Sequence, residues 1–273
     1  MGLNGALPLP DGRRRGGALA NPAAPRATAA ALADAAVAAL LDELAAYPKP
    51  GLVSPIDSGA HTDMDHALMC RSARALRRPF ARIAAAGAEG RPFAASLVPL
   101  GLEAERVMLR ATDGVNTHRG AIFSLGMIVA AVARARATPA AVTPAGVRRA
   151  LQREWGAALG FPGVFAIGVP AYRGAIATGL DRNAACVHTL FTLMADIEDT
   201  NVLFRGGPEA GAFVRRAAAG FLAVGGCTGP GWFARAEELH RDFVRRNLSP
   251  GGCADLLAAT LLVLACSGEA TPE

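Results

Sequence analysis

Along most of the chain, apolar residues recur at three- to four-residue spacing, and short breaks rich in glycine, proline or asparagine separate these stretches. That spacing places the apolar positions on one face of an α-helix. Val37, Leu40, Leu41 and Leu44 form one such stripe and predict a helix over 28–46, with Thr28 as its N-cap. Pro48 and Pro50 cannot continue it, and Gly51 permits a turn. Residues 51–61 then read as a loop. A new helix is expected to start near Thr62 or Asp63, where carboxylates suit the positive end of a helix dipole. Further helices are predicted at about 93–112, 118–136, 144–158, 182–203, 208–224, 230–246 and 252–267. No segment has the period-2 alternation of a half-buried strand. The apolar "FPGVFAIGVPAY" at 161–172 carries two prolines and two glycines and reads as an irregular loop. The expectation is an all-α protein: a disordered tail over 1–27, rich in Gly, Pro and Arg, then one α-helical catalytic domain over 28–270. Its cleft should be lined by helix N-termini and glycine-rich loops.

Composition sharpens this picture. The chain has 273 residues, 52% of them hydrophobic, enough for a sizeable core. Its longest uncharged runs, such as 120–133, fall short of the ~20 residues that span a bilayer, so a soluble protein with no membrane partner is expected. The net charge of +5 points to anionic partners. Basic runs interleaved with aromatics are missing, which argues against nucleic acid. Five cysteines without CxxC or zinc spacing read as reduced core residues of a cytoplasmic protein. Of 28 basic residues, Lys49 is the only lysine. A compact ammonium suits a polyphosphate, whereas the arginine excess elsewhere reads as genome composition.

Polar residues gather at four glycine- or proline-marked turns. Asp63 and Asp65, beside His61 and His66, could cap a helix or hold Mg²⁺. Asn116 and Thr117 cap an apolar helix whose start, with His118 and Arg119, suits an anion or exposes an ordinary His and Arg. Asp196 and Asp199 share a helix face, and could join the pair at 63/65 on one divalent ion or form a solvated acidic face. Asn247 and Ser249 precede a turn, and Asp255 enters the strongly apolar helix that follows. No P-loop, GxGxxG or kinase signature is present.

Four blocks in order, "PKPGLVSPIDSGAHTDMD", "TDGVNTHRGAIFSLG", "DIEDTN" with "RGG", and "RNLSPGGCADLLAATLLV", resemble the signatures of the triphosphoribosyl-dephospho-CoA synthase family over about residues 30–267. "SPIDSGAHTDMD" looks closer to the malonate decarboxylase branch than to the citrate lyase branch. Where the family pattern has lysine after "NTH", this chain has Arg119. The resemblance implies transfer of the triphosphoribosyl group of ATP to the ribose 2′-hydroxyl of 3′-dephospho-CoA, with inversion at C1′ and release of adenine. The product would serve a transferase acting on an acyl carrier subunit. It implies Asp63 or Asp65 as the base, with His61 or His118 as rivals. Mg²⁺ on ATP would be held by others among Glu43, Asp63, Asp65, Asp196 and Asp199. Lys49, Arg119, Arg205 and Arg246 would neutralise phosphates, with Gly59, Asn116, Thr117, Asn201, Asn247 and Ser249 also at the substrates. A homodimer is left open. The rival readings are an Mg²⁺-dependent ADP-ribosyl or nucleotide hydrolase and a non-catalytic nucleotide-binding module.

Overall fold

The computed structural model describes residues 23–137, 142–155 and 161–268. It is all-helical, and the described residues contain no strand. In chain order the helices are α1 (Ala23–Ala45), α2 (His66–Ala75), α3 (Arg77–Ala88), α4 (Val98–Ala111), α5 (Arg119–Arg136) and α6 (Pro144–Trp155). They continue with α7 (Val169–Ala177), α8 (Arg182–Asp196), α9 (Thr200–Ala223), α10 (Trp232–Arg245) and α11 (Gly251–Cys266).

The two most apolar helices lie at the centre. α5 and α11 pack on each other, and α1, α3 and α8 surround them. From Leu257 to Leu264 every residue of α11 is buried, as expected for a helix that is apolar all round. No described helix is long and apolar enough to cross a membrane.

Several helix boundaries differ from the sequence reading, each for a local reason. α1 is already running at Thr28, which is therefore an interior residue and no N-cap. This also places 23–27, expected as tail, in the first turns of α1; residues 1–22 lie outside the described residues. The helix expected near Thr62 starts at His66, because Asp65 is the cap: its Oδ1 accepts from Leu68 N at 2.7 Å. A separate helix, α3, follows at once. The helix expected over 182–203 breaks at Ile197, and α9 begins anew with Asp199 as its cap. Gly207, at φ +69°, kinks α9 just before Pro208. The end of the 144–158 stretch lies outside the described residues.

The segment at 161–172 is helical where a loop was expected. A π-helical turn over Gly163–Gly168 runs directly into α7. Pro162 and Pro170 sit at the starts of these elements, where a missing N–H costs little. Gly163 and Gly168 are there for close packing: a Cβ on Gly168 would fall 2.1 Å from Thr260 Oγ1 of α11.

α3 crosses α5 closely. A Cβ on Gly87 would lie 2.4 Å from Ala130 Cα, a backbone atom that cannot step aside. Gly87→Ala is expected to cost about 1–3 kcal/mol in denaturant unfolding, although alanine is the better helix former.

Candidate active site

The loop between α1 and α2 is folded under the end of α1. Its Tyr47–Pro48 bond is cis. Gly51 and Gly59 both have positive φ at points of close approach: a Cβ on Gly51 would sit 1.9 Å from Leu248 O, and one on Gly59 2.5 Å from Gly51 O. Gly59 is thus a folding residue of the loop and does not line the cleft. His240 of α10 bridges the loop, with Nδ1 donating to Lys49 O at 2.7 Å and Nε2 3.1 Å from Asp57 Oδ2.

This loop holds Lys49 at 1% exposure. Its Nζ donates to Glu43 O at 2.7 Å and Glu43 Oε1 at 2.6 Å. An ammonium has three N–H bonds, so one is left over. Lys49 lines a cleft of about 680 Å³. The cleft wall takes residues from the end of α1, the 49–64 loop and the starts of α5, α9 and α11.

Twelve of the expected residues meet there: Glu43, Lys49, His61, Asp63, Asn116, Thr117, His118, Arg119, Asn201, Arg205, Asn247 and Ser249. Arg205 is the knot of one side. Its Nη1 donates to Ala60 O at 2.8 Å and Asn247 Oδ1 at 2.9 Å, and its Nη2 lies 3.2 Å from His61 Nδ1. With Arg205 donating to Nδ1, the His61 proton is on Nε2 and goes to Ser249 Oγ at 2.8 Å. Burial, and then Arg205, push the His61 pKa down. His61 is therefore shifted toward its neutral form, and the exposed Asp63 stands beside it with Oδ1 3.6 Å from His61 Nδ1.

On the other side, the buried His118 ring holds Ser72 Oγ through Nδ1 at 2.7 Å, and Ser72 Oγ also meets Thr117 Oγ1 at 2.6 Å. Burial, and then Lys49, push His118 down to about 4. Thr117 bonds Ser72 and is no cap, whereas Asn116 Oδ1 does accept from Arg119 N at 3.2 Å.

Four expected charged residues stand elsewhere. Asp65 caps α2, and Asp196 is exposed at the end of α8. Asp199 is buried, and its oxygens accept from Asn201 N, Val202 N and Cys253 N, joining the starts of α9 and α11. Arg246 pairs with Asp242 and lies 4.3 Å over the Phe213 ring. The convergence of Asp63, Asp65, Asp196 and Asp199 on one ion is therefore not what the fold builds. Among the described residues no three His, Cys, Asp or Glu side chains gather to hold a metal, so a magnesium ion here would take most of its ligands from substrate phosphates and water.

Asp255 is the residue that sequence spacing undervalued. It lines the cleft from α11, half-buried, with its Oδ2 packed against Gly120 at the start of α5. No hydrogen bond or ion pair holds it among the described residues. Burial, and then Glu43 and Asp199, hold its carboxyl well above the usual carboxylate range. The available signal was a lone acid inside the uncharged run "GGCADLLAATLLVLAC".

The sequence model of one family, described as ATP:dephospho-CoA triphosphoribosyl transferase, matches residues 29–154 and again 146–271. The chain belongs to this family. A protein of Azotobacter vinelandii named probable 2-(5″-triphosphoribosyl)-3′-dephosphocoenzyme-A synthase is 39% identical over 85% of this chain and 89% of its own length. Proteins of the same printed name from Pseudomonas putida and Acinetobacter calcoaceticus are 38% and 35% identical, each over 85% of this chain and over 93% and 89% of their own lengths. No solved structure matches.

The neutral His118 makes the fold acid-sensitive. The unfolded imidazole binds its proton near 6.5, the folded one only near 4. Its contribution to stability is complete above 6.5 and is lost as pH falls from 6.5 to 4. Urea midpoints should fall over that window, and His118→Gln should flatten the fall.

Proposed function

We propose that this chain transfers the triphosphoribosyl group of ATP to the ribose 2′-hydroxyl of 3′-dephospho-CoA and releases adenine. Membership of the transferase family and the printed names of the relatives support the reaction class. The observation that carries the reading is the cation set of one cleft: the leftover N–H of Lys49, with Arg119 and Arg205, around a volume of about 680 Å³. That arrangement suits a triphosphate, with Lys as a point charge and Arg as a planar fork.

In this reading the C1′–N9 bond of ATP breaks as the C1′–O2′ bond forms, through an oxocarbenium-like centre. Asp63 takes the proton of the 2′-hydroxyl, because its carboxylate is exposed and lines the cleft at the rim. His118 is a weaker base for this task, since an imidazole pushed down to about 4 gives up a proton too easily. His61 orients the rim through Ser249 and Arg205. Adenine leaves as an anion unless it is protonated. In this reading Asp255 is the donor: it lines the cleft, and burial, then Glu43 and Asp199, favour its protonated form. Asp63 then returns its proton to solvent and Asp255 regains one, so the cycle balances. Magnesium enters only as part of the MgATP substrate, and no protein step runs through it.

The stretch 54–65 supports a product destined for the acyl carrier subunit of a malonate decarboxylase rather than a citrate lyase. The five free cysteines support a cytoplasmic site.

Purified protein with MgATP and 3′-dephospho-CoA should release adenine, measured by chromatography, and only with both substrates present. Adenine without dephospho-CoA would make the chain a hydrolase, and none in either tube would overturn the reading. Asp255→Asn should lower the rate by about 10²–10⁴-fold. The same change should raise the melting temperature, because an amide does not bear the cost of burial beside Glu43 and Asp199.

A further inference from the structure

A second depression, of about 210 Å³, adjoins the cleft. It lies between α4 and α5, over α3 and the π-helical turn Phe93–Leu97. Its floor includes the buried Leu97, Ile122 and Met127, and its walls include Leu102 and Phe123, each 48% exposed. Glu105 is the only charged residue that lines it. Glu105 Oε2 meets Arg119 Nε at 3.2 Å. Arg119 lines the polar cleft and Glu105 the apolar groove, so a single exposed ion pair stands between the two.

We infer that this groove holds the pantetheine arm of dephospho-CoA, with Arg119 over the pyrophosphate between the two compartments. The inference rests on the reaction proposed above and assigns where its acceptor lies. The order of chemistry along that acceptor is nucleoside, pyrophosphate, then an uncharged arm. The order along α5 is the same: cleft, Arg119, then Phe123 and Met127 on the same face, which extends about 12 Å over two turns. An exposed Arg–Glu pair is weakly held, and its guanidinium can turn to a pyrophosphate. The reacting 2′-hydroxyl and the arm are on opposite sides of the ribose, so the arm must leave the cleft when the hydroxyl is buried in it. At about 210 Å³ the groove can take part of a narrow chain, with the rest of the arm running on into solvent.

Gly101 supplies the test. It lines the groove, and a Cβ there would meet no heavy atom within 4 Å. Within α4, leucine is also a better helix former than glycine, so Gly101→Leu fills the groove and keeps the fold. Adenine release is measured with 3′-dephospho-CoA and with ADP as acceptors. ADP has the same ribose hydroxyls and pyrophosphate but no arm. Gly101→Leu should raise KM for dephospho-CoA tenfold or more, and leave KM for ATP and any turnover with ADP unchanged. A KM for dephospho-CoA within twofold of the parent would overturn the inference. So would an equal rise with ADP, or a change of oligomeric state by light scattering with KM unchanged, which would make the groove an interface between copies. A parent that releases no adenine defeats the proposed reaction instead. Calorimetric binding of dephospho-CoA and ADP to both proteins then decides the groove: a loss in Gly101→Leu confined to dephospho-CoA sustains it, and equal affinities in the two proteins reject it.

Discussion

A lysine buried at 1% exposure needs a partner, and the fold is arranged around giving it one. Lys49 reaches the last turn of α1, where Glu43 provides both a carboxylate and a main-chain carbonyl. Carbonyls near a helix C-terminus are themselves a favourable place for a cation. The same contact pins the 47–61 loop beneath α1. His240 then fixes the loop from α10 through the Lys49 carbonyl, and Gly51 lets it lie against Leu248. Taking one partner from such a pair leaves a buried charge and costs about 3–5 kcal/mol. One ion pair therefore positions α1, α10 and the approach to α11 around a single space.

That space is expensive to keep. Lys49, His118 and Asp255 all line it, and the two titrating groups among them are shifted against their charged forms, chiefly by burial. A core built for stability alone would fill these positions with apolar side chains. The groups balance one another differently: Lys49 meets Glu43, His118 is shifted toward its neutral form beside Lys49, and burial with Glu43 and Asp199 shifts Asp255 toward its protonated form. Three polar groups of different character thus face the same volume.

Much of this could be read from the sequence, and the parts that could not have physical reasons. Lys49 stood out because it is alone, and the four glycine-marked blocks do converge. Asp65 and Asp199 read in sequence as caps or as ligands, because an aspartate before a helix has the same spacing in either role; in the fold their partners are backbone N–H groups. Gly163 and Gly168 looked like turn residues, yet they are glycines so that α11 can approach. Asp255 was visible as an acid in an apolar helix, but its lack of a partner depends on Gly120, Glu43 and Asp199, all distant in sequence. The groove beside α5 was hidden for a similar reason. Leu102 and Phe123 fit the apolar stripes of their own helices and read as core until the packing leaves them half open.

The central claim is that the ammonium of Lys49 both organises the loop and touches the nucleotide. Lys49→Arg tests it most directly, with adenine release and the melting temperature measured on the same sample. Arginine keeps the charge but replaces a compact point charge by a planar fork in a space closed around Glu43. The account predicts a folded protein whose kcat/KM for ATP falls at least tenfold. Activity within twofold of the parent in a folded protein would contradict it, and Lys49 would then be only a strut of the fold.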